Sequence, residues 1–283
     1  MSRISYNKGF TLIELAIVTL ILAVLLSSAF LSVTSLRKTA NIKEAQQKLA
    51  EIEEALYGFA IANGRLPCPA TPASNGQANP IDPSGLVGAQ RNCNLAANIN
   101  GFIGFVPSST LGIKGEVNCD GLLLDPWGRP YRYSVTNADA VNVVGGVGAE
   151  GGDFVVANGI QEENTTTAPP DGMSRVNPDI VICNNLDAAC NTAVAGNVVT
   201  TNAVAVIFSM GDITANSTRE NENAGERTVA GCGADYPLGN DNLYYSAPSR
   251  EEPADPDTKF DDIVIWISPN TLFNKLLSAQ RLP

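Results

Sequence analysis

Between Lys8 and Arg37 the chain carries a single charge, Glu14, inside the run FTLIELAIVTLILAVLLSSAFLSV that begins at Phe10. A carboxylate at the centre of a membrane helix costs roughly 2.5–3.5 kcal/mol on insertion scales, so it usually has a partner or a function. Glu14 lies four residues, about 6 Å of helix rise, beyond Phe10. A cut after Gly9 would expose a positive amine on Phe10 at the same depth. In a bundle of such helices, Glu14 of one copy is expected to pair with the Phe10 amine of its neighbour and so set the axial register. A lone glutamate with no such partner would only snorkel towards the headgroups.

The other chemistry-bearing residues are defined as much by what is missing. None of the 283 residues is a histidine, which removes the commonest general base and the commonest neutral metal ligand. Ser-His-Asp, Cys-His and His-zinc chemistry are excluded. Six cysteines, Cys68, Cys93, Cys119, Cys183, Cys190 and Cys232, all follow the apolar segment, and none forms a Cys-x-x-Cys pair. Beside an export segment this pattern reads as disulfides in an oxidising compartment, not zinc. Proximity favours Cys183 with Cys190 and Cys68 with Cys93, leaving Cys119 with Cys232.

From Gly64 onward there are 24 Asp and Glu against 12 Lys and Arg, a net charge of −12. Nucleic-acid binding by counterion release needs clustered Lys and Arg, and no such patch follows residue 48, so nucleic acid is not an expected partner. Glu251, Glu252, Asp255, Asp257, Asp261 and Asp262 crowd the stretch before the last strand-like run. Oxygen ligands in a loop suit calcium, which would neutralise their repulsion; the spacing is not that of an EF-hand, and a solvated acidic loop is the alternative. Gly146-Val147-Gly148-Ala149-Glu150-Gly151 matches a G-x-G-x-x-G pattern but precedes a strand-like run where a dinucleotide site requires a helix. It reads as a turn. No paired acid motif stands out from the solvated charges, and no enzymatic activity is expected.

These residues must be positioned by a small set of elements. The leader, residues 1–9, is short and polar. The apolar run of 10–34 exceeds the ~20 residues needed to cross a bilayer and contains no Pro or Gly. It is also longer than the roughly 7–15 apolar residues of an ordinary signal peptide, and no clear small-x-small cleavage site follows it. Beyond it, Ile42, Ala45, Leu49, Ile52, Leu56 and Phe59 recur at spacings of three and four, with charged residues between them. That is one apolar stripe on a helix. Asn63-Gly64 makes a C-cap, and Pro67 blocks continuation. The spacing therefore predicts one helix from Phe10 to about Asn63, amphipathic over 35–63, followed by a globular domain over 64–283.

In that domain, Leu122–Leu124, Tyr131–Val135, Phe154–Ala157, Ile180–Cys183, Ala203–Ser209 and Asp262–Ile267 suit strands, and Asn270–Ser278 suits a helix. Segments 74–100, 159–178 and 214–260 read as long loops. With no βαβ alternation, the expected fold class is α+β, a long helix packed on an antiparallel sheet.

Lys8-Gly9-Phe10-Thr11-Leu12-Ile13-Glu14 resembles the cleavage and methylation motif of type IV prepilins and type II secretion pseudopilins. The resemblance implies cleavage by a prepilin peptidase after Gly9, methylation of the Phe10 amine, and Glu14 as the assembly glutamate. One departure is the absence of a proline near Ala29–Leu31. Asp125-Pro126-Trp127-Gly128-Arg129-Pro130-Tyr131 is similar to a turn of major pseudopilins, and Phe208–Asp212 and Asp261-Asp262-Ile263 with Trp266 resemble their final strands. Calcium binding in the last loop of that group points to Asp262 and Asp261, with Asp255 and Asp257 added by proximity. The implied protein is a structural subunit of a type II secretion pseudopilus or type IV pilus-like filament. It would be anchored in the inner membrane with its domain in the periplasm, and its partners would be the peptidase, an assembly platform, lipid and other pilins. A minor pilin acting as an adhesin or priming module is the alternative.

Overall fold

A computed structural model describes residues 11–80, 93, 102–136, 152, 154–155, 160, 178–184, 197–212, 243–247 and 260–282, with backbone alone for 24–35. The chain divides into two units, Met1–Lys43 and Glu44–Pro283. Helix α1, Leu12–Asn63, contributes to both.

In the second unit α1 buries Ala45, Leu49, Ile52, Leu56 and Ala60, the stripe that its sequence spacing requires. The helix stops where its carbonyls find other donors. Gly64 takes the left-handed conformation at φ 68° and its N–H donates to the Ala60 carbonyl at 2.8 Å, while the Asn63 side-chain amide donates to the Phe59 carbonyl at 2.9 Å.

Strands β1 (Ile103–Phe105), β2 (Arg132–Val135), β5 (Ala205–Ser209) and β7 (Ile263–Ile267) form a four-stranded antiparallel sheet in the order β1-β2-β5-β7. Its alternate side chains serve two cores. Tyr133, Val135, Ala205, Ile207 and Ile267 join Leu49, Ile52 and Leu56 of α1 in the larger one. Val206 and Phe208 face the other way, onto Ile180, Ile182 and Tyr244 of a second sheet. A strand covered on both faces needs apolar residues at every position, which is why Ala203–Ser209 shows no alternation in sequence.

The second sheet has the order β4-β3-β6, from β4 (Val198–Ala203), β3 (Ile180–Cys183) and β6 (Leu243–Tyr245). The run expected as one strand, Ala203–Ser209, is therefore two: the chain leaves the second sheet at Ala203 and enters the first at Ala205, with Val204 between them. The Tyr244 hydroxyl bonds the Ser134 hydroxyl at 2.6 Å, both buried, and ties the sheets together.

Three expectations need correction. β6 pairs parallel to β3, so the sheet content is largely but not wholly antiparallel, and β6 lies within the stretch 214–260 read as loop. Leu-Tyr-Tyr is too short to show a period, and its pairing is long-range. Leu123 and Leu124 make only isolated bridges, the latter to Pro130, which has no N–H with which to extend a ladder. Phe154 and Val155 lie in a turn closed by Val155 N–H on the Gly152 carbonyl. Residues 156–157 of that expected strand, and the glycine-rich 146–151, lie outside the described residues.

A short helix α2 (Ser108–Leu111) and a single 3₁₀ turn (Pro72–Ser74) complete the first half of the domain. Helix α3, Pro269–Ser278, places Leu272, Phe273 and Leu276 against the larger core. Lys275 of α3 bonds Glu54 of α1 at 2.6 Å and lies 4.3 Å from the centre of the Tyr57 ring. Among the described residues no helix is long and apolar enough to cross a membrane. Side chains of the apolar run are described only for 11–23.

Candidate functional site

Thr11 immediately precedes α1. Its carbonyl accepts the N–H groups of Glu14 at 3.1 Å and Leu15 at 3.2 Å, and its hydroxyl oxygen lies 3.4 Å from the Glu14 nitrogen as a second acceptor. A threonine hydroxyl in this place does the work of an N-cap. Glu14 stands in the first helical turn, where a negative charge is favoured by the positive end of the helix dipole. It is exposed, and so is every residue from 11 to 23.

The surrounding surface is apolar on all sides. Leu12, Ile13, Leu15, Ile17, Val18, Leu20, Ile21 and Leu22 are between 48% and 89% exposed. Consecutive positions on a helix cover its whole circumference, and a helix apolar all round belongs inside lipid or among other helices. Within this surface the polar groups are Glu14 and the hydroxyls of Thr11 and Thr19, and the Thr19 hydroxyl is turned inward onto the Leu15 and Ala16 carbonyls. Glu14 is thus the one ionisable side chain that 11–23 offers to a partner. Gly9 and Phe10 lie outside the described residues.

A second constellation is built in the globular unit. The turn Asp125–Arg129 is closed by the Asp125 N–H on the Arg129 carbonyl at 2.7 Å and by the Gly128 N–H on the Asp125 carbonyl at 2.9 Å, with Gly128 at φ 80°. The Asp125 carboxylate sits inside this turn, 5% exposed. One oxygen accepts the Trp127 and Arg129 N–H groups at 3.0 and 2.9 Å, and the other accepts the Ser209 hydroxyl at 2.7 Å. Burial raises the Asp125 pKa above the ordinary carboxylate value, against the lowering effect of these hydrogen bonds and of the Arg129 charge.

Arg129 donates to the Gly211 carbonyl at 2.7 Å. Gly211, at φ 61°, lies so close to Asp261 that an added Cβ would stand 2.5 Å from the Asp261 carbonyl oxygen. The three stretches singled out in the sequence, Asp125–Tyr131, Phe208–Asp212 and Asp261–Ile263, therefore meet at one end of the four-stranded sheet. Ser209 as the carboxylate's partner was not read from the sequence; the only signal was the order of the motifs. What the arrangement does is hold backbone: one carboxylate and one guanidinium fasten a turn to the end of β5.

Asp261 and Asp262 are buried here, while Asp255 and Asp257 lie outside the described residues. Among the described residues no three Asp, Glu, Cys or His side chains are grouped to hold a metal ion. The structure joins Cys68 to Cys93 across 25 residues, and Cys119 and Cys183 are also disulfide-bonded. Cys190 and Cys232 lie outside the described residues.

Residues 4–30 match the model of the prokaryotic N-terminal methylation motif, the prepilin-type signal of type IV pilins and pseudopilins. No curated protein and no solved structure matches the chain. The match covers the six residues before Phe10 and most of the apolar run. The α+β architecture, with its N-terminal helix and largely antiparallel sheet content, is consistent with a pilin-like fold.

Proposed function

We propose that this type IV pilin-like chain is a structural subunit of a filament, either a type II secretion pseudopilus or a type IV pilus-like fibre. The observation that carries the reading is the prepilin-type signal at residues 4–30, followed at once by a helix whose apolar surface is exposed on all sides around one carboxylate. Such a signal implies processing by a prepilin peptidase and assembly with other pilins.

In this reading the peptidase cuts after Gly9 and the Phe10 amine is methylated. Residues 10–34 then hold the subunit in the inner membrane, with 35–283 in the periplasm, until polymerisation transfers the apolar helix into the filament core. Exchange of lipid for neighbouring helices keeps the apolar surface covered throughout, so the transfer does not expose it to water. Glu14 takes the neighbour's Phe10 amine, the only opposite charge at its depth. The role is structural and not enzymatic. Among the filament types, the meeting of Asp125–Tyr131, Phe208–Asp212 and Asp261–Ile263 supports the pseudopilus, since those stretches resemble the turn and final strands of major pseudopilins. Calcium near Asp261 and Asp262 belongs to the same reading and requires further oxygen ligands beyond the described residues.

Intact mass and N-terminal sequencing of membrane-extracted protein, from cells with and without prepilin peptidase, test the proposal. A mature chain starting at methylated Phe10 is expected only where the peptidase is present. A start near Ala29, or an intact Met1 despite active peptidase, overturns it.

A further inference from the structure

Between Glu14 and Glu44 the chain carries three charges, Arg37, Lys38 and Lys43, all positive. All three stand on α1 and within the first unit, Met1–Lys43. Lys38 lies about 100° and Lys43 about 240° around the helix from Arg37. The three cations therefore girdle it, where an amphipathic stretch would gather them on one face. Arg37 and Lys43 are exposed, and Lys38 is half-buried.

Their depth follows from helix rise. Glu14 and Arg37 are 23 residues apart in the sequence. That is about 34 Å along the axis, or about 32 Å across the bilayer at a tilt of about 20°, close to the ~30 Å hydrocarbon core. With Glu14 at the inner boundary, Arg37 and Lys38 enter the outer headgroup layer, about 5–7 Å deep. Lys43 starts about 9 Å beyond Arg37, but helical side chains tilt towards the N-terminus, and its long stem leans back to the phosphates. Residues 64–283 carry a net charge of −12 and are repelled by an anionic surface, so the girdle is where this chain meets such a surface favourably.

We infer that Arg37, Lys38 and Lys43 form a phosphate-binding collar that holds the headgroups of anionic phospholipids, of the phosphatidylglycerol type, at the outer face of the membrane. The inference rests on the membrane-anchored reading above and adds to it a lipid class and the residues that select it. A ring of cations suits lipid, which closes round a helix on every side, better than a protein partner, which meets one flank.

Spin-labelled phosphatidylglycerol and phosphatidylcholine, each added in trace to phosphatidylcholine vesicles carrying the full mature chain, test it. The motionally restricted fraction of each label gives its relative association constant. Phosphatidylglycerol is expected to be preferred. Each cation near an anionic surface contributes about a fivefold preference, so Arg37→Gln and Lys43→Gln should each lower it by about that factor. Arg37→Lys should keep the preference, and about 1 M salt should erase it. Inorganic phosphate at constant ionic strength should not compete. An unchanged preference in the double variant Arg37→Gln/Lys43→Gln, or its loss to inorganic phosphate, overturns the lipid site while leaving the anchor intact. A parent chain that alkaline carbonate strips from the vesicles has no membrane segment, and that overturns both.

Discussion

Replacing Asp125 separates two roles that a buried carboxylate can play. The side chain accepts three hydrogen bonds, two from backbone N–H groups of its own turn and one from Ser209 on β5. At a net ~1 kcal/mol each, Asp125→Ala removes about 3 kcal/mol. Loss of a desolvated charge returns part of that, so the expected cost is about 2 kcal/mol. In a domain of roughly 200 residues this lowers Tm by about 4–8 °C. Asp125→Asn keeps the oxygen that both N–H groups use, and its NH2 group donates to the Ser209 hydroxyl, which turns to accept. The expected cost is under ~1 kcal/mol at neutral pH, because the amide carries no charge to desolvate.

The pH dependence has a definite sign. Burial raises the folded-state pKa of Asp125 above the ordinary carboxylate value, so the folded chain holds this proton more tightly than the unfolded one. The group's contribution to stability is therefore complete below the unfolded pKa and is lost as pH rises through the folded value. The stability of the unaltered chain relative to Asp125→Asn should fall as pH climbs from about 4. Urea unfolding of the detergent-solubilised mature chain, followed by tryptophan fluorescence with Trp127 inside the turn, measures each quantity. An Asn variant as damaged as the Ala variant would show that the charge itself holds the turn, and the argument from burial would fail.

Gly211→Ala places a Cβ 2.5 Å from the Asp261 carbonyl oxygen at a positive φ, and a loss of more than ~2 kcal/mol is expected in the same unfolding assay. Cys68→Ser with Cys93→Ser opens a loop closed across 25 residues, and a loss of about 3.5 kcal/mol follows from chain entropy; calorimetry of the pair against the parent checks it. Glu14→Ala should leave processing by the peptidase intact and abolish incorporation into filaments. Electron microscopy of sheared fibres beside the mass of the membrane-bound chain reads both, and normal filaments from this variant would contradict the assembly role.

The N-terminal half of the chemistry was legible because it is local. The lone charge at Glu14, the unbroken apolar run, and the three-and-four spacing from Ala45 to Leu56 are all written within a few helical turns, and α1 follows them to Asn63. Asp125, Ser209 and Gly211 carry no such periodicity. They lie 84 and 82 residues apart along the chain in the pairs Asp125–Ser209 and Arg129–Gly211, and only the pairing of β2 with β5 and β5 with β7 brings them to one end of a sheet. The switch of sheets at Ala203–Ala205 was hidden for a related reason. A segment buried on both faces reads as a plain apolar run, whichever sheet each part joins. Local spacing determined the helix and the one charge in its apolar run. Contacts between distant strands decided which carboxylate is buried, which backbone it fastens, and which cores each face of the sheet must fill.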